Sequence, residues 1–151
     1  MVHFETEAHG LTMDLSEIEA RLGVIASAVG DAEVNVGSRG RLPHRVAVIK
    51  LTPLGNPNDF AEITVSAGGW LSIEVPGGFS HNTLVELSDT DEVLRSLDQF
   101  LEVGIAYVHG SRTREVSKLH VPHVVVRTAS GDVRLELAIR DQLMRLFRLR
   151  S

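Results

Sequence analysis

Between Asp14 and Val29 the apolar residues Leu15, Ile18, Leu22, Ile25 and Val29 recur at helical spacing, which predicts an amphipathic helix. Asp14 and Glu17 can cap its start reciprocally, and Gly30 ends it. From Asp31 to Leu42 the rhythm changes: Val34 and Val36 alternate with polar residues before Gly37, Ser38 and Gly40, the pattern of a short edge strand running into a loop. Arg45 to Leu51 is rich in β-branched residues and precedes the turn formers Pro53, Gly55, Asn56, Pro57 and Asn58.

Two alternating runs follow, Ile63 with Val65 and then Leu71, Ile73 and Val75, around Ala67-Gly68-Gly69. A loop of Gly68-Gly69 alone would set Val65 against Ser72. Including Ala67 pairs Val65 with Leu71 and Ile63 with Ile73, so one face stays apolar and one glycine takes the left-handed position of a bulge. Residues 76–88 read as a loop. Ser88 or Asp89 then caps a long helix to Val108, with Val93, Leu94, Leu97, Phe100, Leu101, Ile105 and Val108 on its inner face and Gly110 beyond its end. Thr113 to Leu119 reads as a polar strand. Val121 to Ile139 reads as a hairpin about Ser130-Gly131-Asp132, pairing Val124 with Leu137 and Val126 with Leu135. Arg140 to Arg150 predicts a short helix burying Leu143, Leu146 and Phe147.

Strands joined by tight turns, without strand-helix alternation, predict an α+β fold: a single antiparallel sheet of about six strands with helices packed mainly on one face. The 151 residues suit one domain, 1–151, with 1–13 as a flexible N-terminal arm. Apolar residues at 43% and charged residues at 23% are the mix of a globular protein. Without cysteine there are no disulfides, thiolate nucleophiles or zinc-thiolate sites, as expected in a reducing compartment. The N-terminus lacks a secretory pattern, and no apolar run approaches the roughly 18 residues of a spanning helix; a cytoplasmic protein with no membrane partner is expected.

The net charge of −5 divides unevenly, near −10 over 1–107 and +5 over 108–151. An acidic body argues against general nucleic-acid binding, which depends on neutralising phosphates. Lys50 and Lys118 are the two lysines among 15 basic residues, a bias of GC-rich bacterial genomes such as those of actinobacteria.

Candidate chemistry is sparse. The first glycine pair joins two strands, and Gly77-Gly78 lies about ten residues from the next helix, so neither forms a phosphate loop, which needs glycines between a strand and a helix N-terminus. The seven histidines form no ligand motif, and in a strand His120 and His123 would face opposite sides. Neither Ser80 beside His81 nor Ser111 near His109 lies in a nucleophile elbow. No catalytic residue, metal or cofactor is therefore assigned, and the expectation is a binding protein rather than an enzyme.

The register that buries Leu71 and Ile73 turns Trp70 to the opposite face, either covering the sheet edge or beneath the 76–88 loop, or exposed as an interface anchor beside Phe79. Alternation puts Arg112, Arg114 and Lys118 on one face, either as a charged guard on an edge strand or as a contact patch.

The stretch EITVSAGGWLSIEVPGG at 62–78, followed by SDTDEVLRSLDQFLEVGIAYVHG at 88–110, resembles the immunity proteins of bacterial, especially actinobacterial, polymorphic toxins. That family includes the immunity factor of the tuberculosis necrotizing toxin. The resemblance implies an antitoxin that inhibits a cognate toxin enzyme in a one-to-one complex by covering its active site. It transfers no residue roles. The residues themselves offer Trp70, Phe79, His81, Arg112 and Arg114 as partner contacts, with the loops 1–13, 52–61 and 76–88. Two alternatives stand: a secretion-chaperone-like homodimer holding a client, which the element order also resembles, and a small-ligand-binding or hydrolytic domain.

Overall fold

The computed structural model describes residues 17, 18, 20, 21, 23, 32–40, 46–66, 68–86 and 88–137. Eight strands and a long helix follow in order: β1 (Ala32–Arg39), β2 (Val46–Pro53), β3 (Ala61–Ser66), β4 (Trp70–Val75), β5 (Phe79–Leu84), α1 (Thr90–Val108), β6 (Arg112–Val116), β7 (Pro122–Thr128) and β8 (Gly131–Leu137). The fold is α+β, and the strands form one antiparallel sheet in the order β1-β2-β3-β4-β5-β8-β7-β6.

The β3–β4 hairpin has the predicted register, Val65 opposite Leu71 and Ile63 opposite Ile73. Gly69 takes the left-handed conformation at φ 90°. Ile49, Ile63 and Ile73 line up across β2, β3 and β4, and Ala47, Val65 and Leu71 form the next row. These side chains are buried together with Val124 and Val126 of β7 and Leu135 and Leu137 of β8, so one inner face runs through the sheet.

Helix α1 packs on that face. Asp89 caps it by accepting a hydrogen bond from the Glu92 N–H at 3.1 Å, and Asp91 and Glu92 complement the dipole in its first turn. Val93, Leu97, Phe100 and Leu101 are buried as the spacing predicts, while Leu94, Ile105 and Val108 are half-buried. Gly104 allows the closest approach, since a Cβ there would lie 3.0 Å from Leu51 Cδ1 and 3.4 Å from Ile63 Cδ1. The helix ends with Ser111 N–H donating to Ala106 O and Gly110 N–H to Tyr107 O.

Three expectations change. Among the described residues the sheet has eight strands instead of about six, because the expected loop at 76–88 is a turn at 76–78 followed by β5. Only Phe79 of FSHNTL is buried, so β5 has no apolar alternation to announce it. The β7–β8 loop is the two residues 129 and 130, with Thr128 opposite Gly131 and Thr128 Oγ1 donating to Gly131 O at 2.7 Å. Val124 therefore pairs with Leu135 and Val126 with Val133, a slip of two residues from expectation that leaves every apolar side chain on the same face. Strand β6 ends at Val116, and a turn follows in which His120 has φ 60°.

Of the expected first helix, residues 17, 18, 20, 21 and 23 are helical, and Ile18 is fully buried in the core. The rest of that helix, the arm at 1–13 and the helix at 140–150 lie outside the described residues. Among the described residues no helix is long and apolar enough to cross a membrane.

Candidate functional site

The face of the sheet opposite α1 follows from the same alternation, because partners across an antiparallel ladder share a face. One outer row crosses all eight strands: Asn35, Lys50, Glu62, Glu74, Ser80, Glu136, His123 and Glu115. Four of the eight are carboxylates. Arg39 pairs with Glu62 at 3.1 Å and Arg134 with Glu136 at 2.9 Å, and Lys50 lies opposite Glu62, which together neutralise most of the row. Glu74 is exposed, and Glu115 Oε2 lies 3.2 Å from His123 Nε2.

Trp70 stands on this outer face with 57% of its surface exposed. Its cross-strand partner is Leu84, 60% exposed. The pair forms an apolar patch on the same face as the row, four residues along β4 and β5 from Glu74 and Ser80, about 13 Å at the rise of a strand. Two hydrogen bonds hold its base: Trp70 N–H donates to the Ser66 side-chain Oγ at 3.1 Å, and Val85 N–H donates to Gly69 O at 2.8 Å. Trp70 thus neither covers an edge nor lies beneath a loop. Leu84 was not legible as a site residue, because it falls where the sequence suggests a loop.

The other four sequence candidates lie on the inner side. Phe79 is 4% exposed and packs on the turn before it; a Cβ on Gly77, whose φ is 95°, would lie 2.8 Å from its ring. It belongs to the core rather than to an exposed patch beside Trp70. His81 pairs with Ile73, and its ring stacks on Phe100 at 5.6 Å between centroids. Arg112 and Arg114 pair with Val126 and Val124, so they share a face as alternation predicts, and that face is the inner one. Lys118 lies in the turn after β6 and does not join them.

Arg112 is built into a knot. Its Nη2 is ion-paired with Asp59 Oδ2, and its Nη1 donates to Tyr107 O at 2.8 Å. The guanidinium lies 4.0 Å from the centre of the Tyr107 ring, and the Tyr107 hydroxyl donates to Asp59 Oδ1 at 3.2 Å. Burial holds the Tyr107 hydroxyl above its ordinary pKa of 10.0; Arg112 opposes the shift, while the charge and hydrogen bond of Asp59 add to it. The knot ties the β2–β3 loop to the end of α1 and the start of β6. Arg114 is exposed, with its guanidinium 5.5 Å from the Phe79 ring centre.

His123 is buried on the outer face, and His120 lies in the β6–β7 turn. Among the described residues no three histidine, aspartate or glutamate side chains are grouped to hold a metal ion. The five sequence candidates therefore divide: Trp70 on the exposed outer sheet face, Phe79 and Arg112 in structural roles, and His81 and Arg114 at the inner side. Comparison with known proteins brings no relative to bear on this surface, since no family model, curated protein or solved structure matches the chain.

Proposed function

We propose that the protein is an immunity protein, which binds a cognate toxin through the outer face of its sheet and covers the toxin's active site. The observation that carries the reading is the exposed Trp70–Leu84 pair on the same sheet face as the carboxylate row. Tryptophan at the centre of an interface is the commonest kind of energetic anchor, and a surrounding polar rim sets orientation and partner choice. A rigid ladder keeps the pair in place before binding, which limits the entropy cost of association.

The carboxylates fit a cationic partner surface, such as the cleft of an enzyme acting on an anionic substrate. In this reading Glu74 and Glu115 stand in for substrate charge, and Trp70 supplies the anchor. The protein acts in the cytoplasm, without cofactor or catalysis of its own.

The test is co-expression with the product of the adjacent gene, followed by gel filtration with light scattering. The reading expects a one-to-one complex and rescue of cells from the neighbour's toxicity. A chain that elutes alone and leaves toxicity unchanged overturns it. A homodimer that Trp70→Ala dissociates would instead assign the same patch to a chaperone-like self-association.

A further inference from the structure

The sheet is split in its middle. Strands β5 and β8 pair at Phe79 with Leu137 and at Ser80 with Glu136, and at no other described position. Beyond that point β5 continues to Leu84 against β4, and β8 runs back to Gly131 against β7. The two strands part like the arms of a V.

The ladder shows which backbone groups line the split. In an antiparallel pair the residues that exchange hydrogen bonds alternate along the strand. Val85 N–H donates to Gly69 O, so Thr83, His81 and Phe79 bond to β4, while Ser80, Asn82 and Leu84 direct their amides and carbonyls toward β8. The tight loop closing at Thr128 and Gly131 sets the same alternation on β8, and Asp132, Arg134 and Glu136 face β5. Ser80 and Glu136 meet. Asn82 and Leu84 on one arm, and Asp132 and Arg134 on the other, have no ladder partner across the split among the described residues.

Beneath the split, on the side of α1, lies a cavity of about 230 Å³. Ile73, Phe100 and Val103 form its buried floor, Val133 is half-buried in its wall, and the exposed His81 and Gln99 stand at its mouth. Glu102 also borders it, but its carboxylate accepts hydrogen bonds from Ser130 N–H and Oγ at 2.9 to 3.2 Å. An apolar cavity of roughly 150 Å³ suffices for benzene, so this one has room for a phenyl ring or a branched aliphatic side chain.

We propose that the split between β5 and β8 seats an extended segment of the protein partner, which pairs with the edge of β5 facing the split and places one large apolar side chain in the cavity beneath α1. The inference rests on the partner-binding reading above. An extended peptide is the occupant because the groups without a ladder partner among the described residues are backbone donors and acceptors at strand spacing, which a strand satisfies in register. Residues opposite Thr83 or His81 would point to the cavity side, and their neighbours would lie beside Leu84 on the outer face. The seat is thus continuous with the Trp70–Leu84 patch.

The probe is a blocked five-residue peptide of threonines with phenylalanine at its centre, titrated to about 1 mM into the ¹⁵N-labelled full chain. Shifts confined to the amides of Asn82, Leu84, Asp132 and Arg134 and to the His81 ring are expected. They should weaken at least tenfold with alanine at the centre or with a methylated peptide backbone. No response to the phenylalanine peptide overturns the proposal. So does equal binding of the backbone-methylated peptide or of toluene alone, which would make the cavity a small-molecule site. Val133→Phe should abolish peptide binding with a dispersed spectrum; the methylated peptide gives the same contrast without a substitution. Toxin capture retained without peptide binding removes only the seat, whereas peptide binding without toxin capture removes the immunity reading.

Discussion

Replacing Arg112 by alanine tests whether the knot at the β2–β3 loop holds the sheet to its helix. The Arg112 and Asp59 side chains are 28% and 23% exposed, so the ion pair is largely shielded but still reached by water. A fully buried pair broken on one side costs about 3–5 kcal/mol, whereas an exposed pair is worth ~1 kcal/mol or less. Here the substitution removes a charge-assisted bond to Asp59, the bond to Tyr107 O, and the stacking on the Tyr107 ring. With solvent screening, a loss of about 2–3 kcal/mol follows. For a chain of this size that is a fall in Tm of roughly 5–10 °C, measured by calorimetry, with a matching shift in urea midpoint and an unchanged m-value. A double-mutant cycle with Asp59→Ala should return a coupling of at least about 1 kcal/mol. A change below ~0.5 kcal/mol for Arg112→Ala, or additive single effects, would show that the pair is an ordinary surface contact.

Three further outcomes follow from the same geometry. Asp89→Ala removes the cap on α1 and should cost about 1 kcal/mol in chemical denaturation, with Asp89→Asn keeping most of it. Gly104→Leu drives a side chain into Leu51 and Ile63 and should cost at least ~2 kcal/mol by the same measurement; a neutral result would mean that the helix stands further from the sheet. The raised pKa of Tyr107 means that the folded state keeps its proton more firmly than the unfolded chain. Its stabilising contribution is complete below pH 10 and declines as pH rises above that value, so Tyr107→Phe should flatten the fall in stability between pH 9.5 and 11.

The sequence made the local pairings legible and hid those that depend on distant partners. The β3–β4 register could be read because a slip of one residue would have exposed Ile63 and Ile73, and α1 announced itself through its cap and spacing. Strand β5 was not legible: His81, Asn82 and Thr83 are ordinary loop residues, and they join the sheet because β4 offers an edge. The slip at the β7–β8 loop was equally hidden, since either register buries Val124 and Val126. Trp70 was placed on the correct face by parity alone, but its exposure depends on β5, which puts Leu84 beside it instead of a covering loop. Arg112 carried no signal of its role, because Asp59 lies 53 residues earlier in the chain.

The most direct measurement of the binding account is the affinity of the proposed partner, the product of the adjacent gene, for the native chain and for Trp70→Ala, by calorimetry. The account predicts at least a thirtyfold loss, about 2 kcal/mol, with little change in Tm because the side chain is largely exposed. Affinity within threefold of the native value would contradict it, and would remove the outer sheet face as the contact surface.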